Sequence, residues 1–382
     1  MDLTKIMLVF GTRPEAIKMA PIYLELMQHK DKFETLLCVT GQHREMLDQV
    51  LDIFDITPDI DLSVMEKDQD LFDVTSKILI RMKDCINKYK PKIILVHGDT
   101  TTTAAASVAA FYSNVKIGHV EAGLRTNDIK SPYPEEFNRK LTSIVTDMHF
   151  TPTEESMKNL ERENIKKEKI YITGNTVIDS LFMIREKFEQ NLSYRKKFKE
   201  YFLNSLNFNV EENSFVLITG HRRENFGSGF IEICHAIKDL ASKYEKYKFV
   251  YPVHLNPNVN NIVHEILDSS ENVMLIQPLE YEKFIYLLKN CYLVLTDSGG
   301  IQEEAPSFGK PVVVMRDVTE RPEAVKAGTV KLVGANRSKI VETVSNLIED
   351  DELYACMSKA HNPYGDGNSS KKIVKNIISI LE

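Results

Sequence analysis

The chain has no apolar run approaching the ~18–20 residues that a membrane-spanning helix requires, so neither a transmembrane segment nor a membrane partner is expected. The stretch Ile6-Met7-Leu8-Val9-Phe10 is too short for a signal peptide and no small-residue cleavage site follows it. Cysteine is sparse. Its five occurrences, Cys38, Cys85, Cys234, Cys291 and Cys356, are odd in number, far apart and without a C-x-x-C pair. That argues against a disulfide framework and a zinc knuckle, and reads as buried thiols in a reducing compartment. A cytoplasmic location is the expectation. Positive charge is not in excess either: the formal net charge is −7, whereas a nucleic-acid surface needs clustered Lys and Arg to neutralise phosphates. An anionic ligand must be held by a local constellation of residues.

Other absences narrow the chemistry. The G-x-G-x-x-G fingerprint and the P-loop are missing, so nicotinamide-dependent oxidation and nucleoside triphosphate hydrolysis lose their usual anchors. His97-Gly98-Asp99 and His119-Val120-Glu121 alternate across strands and lack the H-x-x-x-H spacing of a metal site, so neither a metal nor an organic cofactor is expected. No internal repeat with a period of about 20–50 residues and no low-complexity tract is evident.

What is present is an ordinary globular composition, 43% apolar and 27% charged with 16 Gly and 14 Pro, which leaves no room for a long disordered tail. At 382 residues the chain exceeds what one hydrophobic core usually serves, so two domains with a ligand cleft between them are expected. Short apolar runs alternate with helix-period segments, the pattern of a parallel sheet wrapped by helices. In the first half the expected strands are Ile6–Phe10, Thr35–Thr40, Ile93–His97, Lys116–Val120, Met148–Thr151 and Lys169–Ile172. In the second half they are Phe215–Thr219, Lys248–Val253, Val273–Ile276, Leu293–Thr296, Pro311–Met315 and Val330–Val333. Each half reads as one doubly wound sheet, making this an α/β protein of two Rossmann-like domains. The first is expected over 1–174 and the second over 175–367, with the hinge just after Gly174-Asn175. The turn formers from Asn362 to Gly367 precede a short amphipathic helix, 368–382, expected to cross back to the first domain.

In open parallel sheets the side chains that do chemistry sit on loops leaving the carboxyl ends of strands. Those loops carry Gly11-Thr12-Arg13-Pro14-Glu15, Gly98-Asp99-Thr100 and Glu121-Ala122-Gly123-Leu124-Arg125 in the first half. In the second half they carry His221-Arg222-Arg223-Glu224-Asn225 and Asp297-Ser298-Gly299-Gly300-Ile301-Gln302-Glu303-Glu304. The Ser298-Gly299-Gly300 turn opens a helix, so its backbone N–H groups form an anion site suited to a diphosphate. Arg13, its exit from the strand set by Pro14, can add cationic help. Glu304, one turn into that helix, suits hydrogen bonding by ribose hydroxyls. Each feature also has a plainer reading. Gly299-Gly300 alone is an ordinary strand-to-helix turn, Asp99 and Glu121 could be helix caps, His221 and its arginines could be a solvated loop, and Ser131-Pro132-Tyr133-Pro134-Glu135-Glu136 could be a rigid surface turn. Their joint placement at strand ends favours a site, and the residue-level reading stops at a two-domain binder of a nucleotide diphosphate.

The strings Phe10 to Lys18, Val96 to Thr103, Gly118 to Arg125, Thr219 to Asn225 and Thr296 to Glu304 together resemble the bacterial non-hydrolysing UDP-N-acetylglucosamine 2-epimerases, in order and spacing and across the whole chain. The resemblance implies the GT-B architecture, two Rossmann-like domains with the active site in the cleft between them and UDP held mainly by the second. It implies reversible inversion at carbon 2 of UDP-N-acetylglucosamine to give UDP-N-acetylmannosamine. UDP is eliminated to a 2-acetamidoglucal and adds back after protonation on the other face. Asp99, Glu121 and Glu135 are implied as the acid/base carboxylates, with the assignment of acid and base left open. Arg13, Lys18 and His221 match groups that stabilise the leaving diphosphate. Ser298, Gly299, Gly300 and Glu304 match diphosphate and ribose contacts, and Phe284 a uracil contact. Tyr133 stands where some relatives have Trp, leaving Glu135 in register. Gln42, Arg222 and His254 lie in strings like those implicated in allosteric activation by UDP-N-acetylglucosamine. Homodimers and a role in surface polysaccharide synthesis are further implications. A hydrolysing 2-epimerase releasing UDP and N-acetylmannosamine, a GT-B glycosyltransferase, and a catalytically inactive UDP-sugar sensor are the alternatives.

Overall fold

A computed structural model describes residues 3–41, 44–66 and 68–381 of the chain. Contacts divide these residues into two compact units, Met1–Ser180 with Tyr364–Glu382, and Leu181–Pro363.

Unit 1 is built on a seven-stranded parallel sheet of order β3-β2-β1-β4-β5-β6-β7. Its strands are β1 (Thr4–Phe10), β2 (Phe33–Val39), β3 (Ile60–Asp61), β4 (Ile93–His97), β5 (Lys116–Val120), β6 (Met148–Thr151) and β7 (Ile170–Ile172). Helices α1 (Arg13–Leu26), α2 (Arg44–Ile53), α3 (Leu71–Tyr89), α4 (Thr101–Tyr112), α5 (Glu135–Val145), α6 (Glu154–Arg162) and α7 (Thr176–Gln190) follow in alternation, α7 running on past Ser180. Central strands are covered on both faces, which is why β4 reads Ile-Ile-Leu-Val-His and every one of its residues is buried. Two-residue β3 went unanticipated because so short a strand leaves no periodic signal.

The helices start and stop where local chemistry dictates. Asp70 caps α3 by accepting a bond from the Asp73 N–H at 2.9 Å, and the helix ends where Lys90 turns left-handed at φ 52°. Thr100 caps α4 in the same way through the Thr103 N–H at 3.1 Å. The alanine-rich α4 then buries Ala104, Ala105, Ala106, Ala109 and Ala110 beside α3 and α5. Met7, Val9, Cys38, Ile78, Met82, Ile94 and Val96 fill the core on that face of the sheet.

Unit 2 repeats the plan with six strands in the order β10-β9-β8-β11-β12-β13. These are β8 (Phe215–Thr219), β9 (Lys248–Pro252), β10 (Val273–Ile276), β11 (Leu293–Thr296), β12 (Val312–Val314) and β13 (Val330–Leu332). Its helices after α7 are α8 (Leu192–Leu206), α9 (Ser228–Lys243), α10 (Pro257–Leu267), α11 (Tyr281–Asn290), α12 (Ile301–Glu304), α13 (Pro322–Ala327), α14 (Arg337–Glu349) and α15 (Asp351–Lys359). The core joins β8, β9 and β11 to α9, α10 and α14 through residues such as Ile218, Phe230, Tyr251, Val263 and Val344.

The chain then returns to unit 1 as α16 (Ser369–Leu381), which packs on α1. Its N-terminus is capped from far away in sequence. Buried Asp179 accepts bonds from the backbone of Ser369 at 3.1 Å and of Ser370 at 2.7 Å, and from the Ser370 hydroxyl at 2.6 Å. In each sheet the strand order reverses once, beside β1 and β4 in unit 1 and beside β8 and β11 in unit 2. Loops diverge at such a point and leave a crevice at the carboxyl edge.

Candidate active site

In unit 1 the switch point is occupied by carboxylates with assigned partners. Glu121 leaves β5 in the left-handed conformation, φ 61°, which is strained for a residue with a side chain. No helix starts there, so it is not a cap. Its Oε2 forms a hydrogen-bonded ion pair with the Lys18 ammonium and accepts from the Asn175 amide at 2.8 Å. The imidazole Nε2 of His97 lies 3.8 Å from the same oxygen. Two residues on, Gly123 has φ 88°, and a Cβ there would collide with the Ser156 carbonyl.

Asp99 is not a cap either, since Thr100 caps α4. Its Oδ2 accepts from Arg139 at 2.5 Å, and its main-chain carbonyl accepts from the Asn138 amide at 2.9 Å. Arg139 also donates to Glu136 at 2.9 Å, and Glu136 in turn accepts from the backbone of Thr126 and Asn127 at 3.2 Å each. Burial pushes Asp99 above its ordinary value; Arg139 opposes this, Glu121 reinforces it and Lys18 opposes it. Asp99 and Glu121 therefore share one electrostatic neighbourhood, and ionising one resists ionising the other.

The floor of the site is neutral. His97, His119 and His149 lie on three adjacent strands, and desolvation depresses them to about 3, 4 and 3 respectively. His119 donates from Nε2 to the Gly98 carbonyl at 2.7 Å, tying β5 to the loop that carries Asp99. Buried Glu15 ties the neighbouring loops together. It accepts from the backbone of Gly11 at 3.0 Å and Thr12 at 2.8 Å, and from the Thr100 hydroxyl at 2.6 Å.

Arg13, half-buried, is the first residue of α1, with Pro14 behind it. Glu135 is the first residue of α5, one turn before Arg139, and its buried Oε2 has no hydrogen-bond partner among the described residues. The preceding segment is exposed at Ser131, Pro132 and Tyr133, so a surface turn and a candidate site residue are adjacent features of one loop. Gln42 lies outside the described residues.

In unit 2 the loops after β8 and β11 are joined by Asp297. Its Oδ2 accepts from the backbone N–H groups of His221 and Arg222 at 2.8 Å each. The His221 ring stacks on His254, with centroids 5.2 Å apart and planes 12° from parallel. His221, Arg222, His254 and Ser298, with Phe226 and Asn256, line a cavity of about 350 Å³. Residues expected to serve catalysis, diphosphate binding and regulation thus share one cavity. Gly299, Gly300, Glu304 and Phe284 do not line it; Phe284 sits half-buried in the first turn of α11.

The helix after Ser298-Gly299-Gly300 is one turn long. Pro306 has no N–H to continue it, and a 3₁₀ turn, Ala305–Phe308, follows. The helix-dipole contribution expected of that turn is correspondingly small. A Cβ at Gly299 would meet the ends of the Arg321 and Glu320 side chains at 2.6 Å, so a larger residue there would displace those ion-paired groups. Those two belong to a chain of ion pairs, Arg316 to Glu224 and Glu320, and Arg321 to Glu320 and Glu303. Burial acts against the charge on Glu320, but Arg321 and Arg316 outweigh it and hold the carboxyl at about 2.

Sequence reasoning passed over Arg139, Glu136, Asn138, Asn175 and Glu15 as site residues. Glu136 and Arg139 carried a usable signal, opposite charges three apart at the start of a helix. Asn175 carried none. Among the described residues no group of three or more His, Cys, Asp or Glu is arranged to hold a metal ion, and no helix is long and apolar enough to cross a membrane.

Two parallel sheets with alternating helices and carboxylates at the strand ends define a two-domain, doubly wound α/β protein, the kind that binds ligands at the carboxyl edge of its sheets. The sequence model of the UDP-N-acetylglucosamine 2-epimerases matches residues 25–378. UDP-N-acetylglucosamine 2-epimerase from Campylobacter jejuni is 54% identical over 374 residues, covering 98% of this chain and 97% of the relative. The Escherichia coli K12 protein of the same name is 55% identical over 372 residues, 97% of each chain. The crystal structure of UDP-GlcNAc 2-epimerase from Neisseria meningitidis bound to UDP-GlcNAc superposes with a TM-score of 0.90 at 50% identity, covering 98% of this chain and all of that one. The chain belongs to the UDP-N-acetylglucosamine 2-epimerase family, and its fold is GT-B-like.

Proposed function

We propose that this protein interconverts UDP-N-acetylglucosamine and UDP-N-acetylmannosamine without net hydrolysis. Carbon 2 of the sugar has no adjacent carbonyl, so its proton is too weakly acidic for enolisation. In the proposed reaction a carboxylate takes the carbon 2 proton, and the C–H electron pair becomes the carbon 1–carbon 2 double bond. The carbon 1–oxygen bond breaks with its electrons on the departing UDP. A second carboxylic acid then protonates carbon 2 of the glycal from the other face as the UDP oxygen rebonds to carbon 1. Retaining both fragments makes the return step effectively intramolecular.

The observation that carries this reading is the placement of Asp99 and Glu121 at the ends of neighbouring strands, each ion-paired with its own cation. Two carboxyl groups in one site suit a proton acceptor and a proton donor on opposite faces of a sugar carbon. Glu135 is the third acid we assign. Arg13, Lys18 and His221 stabilise the diphosphate as charge grows on it. Ser298, Gly299, Gly300 and Glu304 hold diphosphate and ribose, and Phe284 contacts uracil. We assign Gln42, Arg222 and His254 to activation by a second UDP-N-acetylglucosamine, a cytoplasmic location to the enzyme, and surface polysaccharide synthesis to its product. A homodimer fits the apolar residues standing exposed on α3, α4 and α5, among them Phe72 at 84% and Ile144 at 77%.

Incubation with UDP-N-acetylglucosamine alone in D₂O, followed by NMR, tests the reaction. The expected product is UDP-N-acetylmannosamine with deuterium at carbon 2. Free N-acetylmannosamine with UDP would replace this reading by the hydrolysing one, and absence of turnover without an acceptor would point to a transferase or a sensor.

A further inference from the structure

We propose that Asp297 is a positioning residue that sets the tautomer and charge of His221. Asp297 follows β11 and is fully buried. Its Oδ2 is committed to the loop after β8, accepting from the backbone of His221 and Arg222 at 2.8 Å each, with the Asn225 amide at 3.5 Å. Its Oδ1 is buried without a hydrogen-bond partner among the described residues and faces Nδ1 of His221 at 3.8 Å. That distance is too long for a hydrogen bond. A small rotation of the imidazole closes it, and such pairs commonly tighten only when ligand arrives. A carboxylate oxygen is not left buried and unsatisfied without cost. The His221 imidazole is a donor within reach of it, 3.8 Å away.

The consequence for His221 follows from the two-nitrogen chemistry of the ring. A hydrogen bond from Nδ1–H to Asp297 fixes the lone pair of the neutral ring on Nε2, the nitrogen away from Asp297 on a side chain that lines the 350 Å³ cavity. The groups facing His221 are Asp297 from the end of β11, His254 from the loop after β9, and Arg222 from its own loop. Desolvation lowers the proton affinity of His221, Asp297 raises it, and His254 and Arg222 lower it, leaving the ring below its ordinary value in the unliganded protein. A bound diphosphate supplies the negative charge that tips this balance. His221 then takes up a proton from solvent on Nε2 and, as imidazolium, hydrogen-bonds through it to a phosphate oxygen, while Asp297 offsets its charge at Nδ1. The same base-plus-orienting-carboxylate arrangement recurs wherever an imidazole must carry charge transiently.

What His221 touches rests on the reaction proposed above; how its ring is held does not, so the two are tested separately. In the full-length protein labelled with ¹⁵N-imidazole, neutral His221 should show the Nδ1–H tautomer. Addition of UDP should raise its pKa, and Asp297→Asn should cut that rise by about one unit. A neutral Nε2–H tautomer in the parent protein overturns the proposal even if the variant fails to fold. Turnover supplies the second reading. Asp297→Asn should cost about tenfold or more in the parent but less than about twofold in a His221→Gln background, because the carboxylate acts through the missing ring. Equal losses in both backgrounds would assign Asp297 a structural role and sink the inference.

Discussion

Burial keeps the proton on Asp99 to higher pH than an ordinary aspartate, and Arg139 works against that tendency without cancelling it. A step needing ionised Asp99 should therefore show an acid limb above pH 3.8, the unperturbed value. Arg139→Gln removes a lowering influence, so the limb of kcat/KM should move to still higher pH; a limb that stays in place would separate Asp99 from the titration. Asp99→Asn should lower turnover by roughly 10²–10⁴, the usual worth of a positioned acid or base. A variant within about threefold of the parent would remove Asp99 from the mechanism. At this scale the sequence showed residue types and their place at strand ends, which is why the positions of Asp99, Glu121 and His221 on those loops were legible. It did not show partners. Asn175 reaches Glu121 across 54 positions and Arg139 reaches Asp99 across 40, distances over which no periodicity operates.

Helix α5 shows how one element serves several ends. Its first turn carries Glu135, with a buried oxygen that has no hydrogen-bond partner among the described residues, and Glu136, which anchors the preceding loop; one turn later Arg139 pairs with Asp99. Two acids at a helix N-terminus also suit its dipole. The outer face of the same helix bears Phe137, half exposed, and Ile144, close to the exposed Phe72 of α3 in character and burial. Introducing charge there should separate copies of the chain if this surface joins them. Phe72→Glu with Ile144→Glu is expected to shift the mass measured by light scattering from dimer to monomer while each unit stays folded; a monomeric parent would dispose of the idea. Strands were the most legible elements. β4, β5, β6, β8, β10 and β11 occupy the spans read from their apolar runs, because strands of a parallel sheet are largely apolar, even edge strand β10, in which only Val273 is buried. The single-turn α12 was less so, since a proline two residues past its end is a weaker mark than a long apolar run.

Across the whole molecule, the chain leaves unit 1 after Ser180 and re-enters it at Tyr364, so unit 1 is completed only when the last helix docks. Asp179 is the latch, taking three hydrogen bonds from the start of α16. Asp179→Ala strands those donors in a buried site and should destabilise unit 1 by about 1–3 kcal/mol, read as a lower urea midpoint. Its pH dependence has a definite sign. Burial raises the folded-state pKa of Asp179 above 3.8, so the folded state binds the proton more tightly than the unfolded chain does. The corresponding stability is fully present below pH 3.8 and is lost as pH rises through the raised value. Parent minus Asp179→Asn stability should fall over that window, and a flat difference would contradict the assignment. The sequence by itself determined two doubly wound sheets and the residues at their carboxyl edges, because alternation, burial runs and turn chemistry are local and written along the chain. Only the tertiary structure decided that Lys18 and Asn175 meet Glu121, that Arg139 holds Asp99, and that one buried carboxylate, Asp297, joins the loops after β8 and β11. Those pairings depend on which strands lie side by side, a property of the packed sheet rather than of any stretch of sequence.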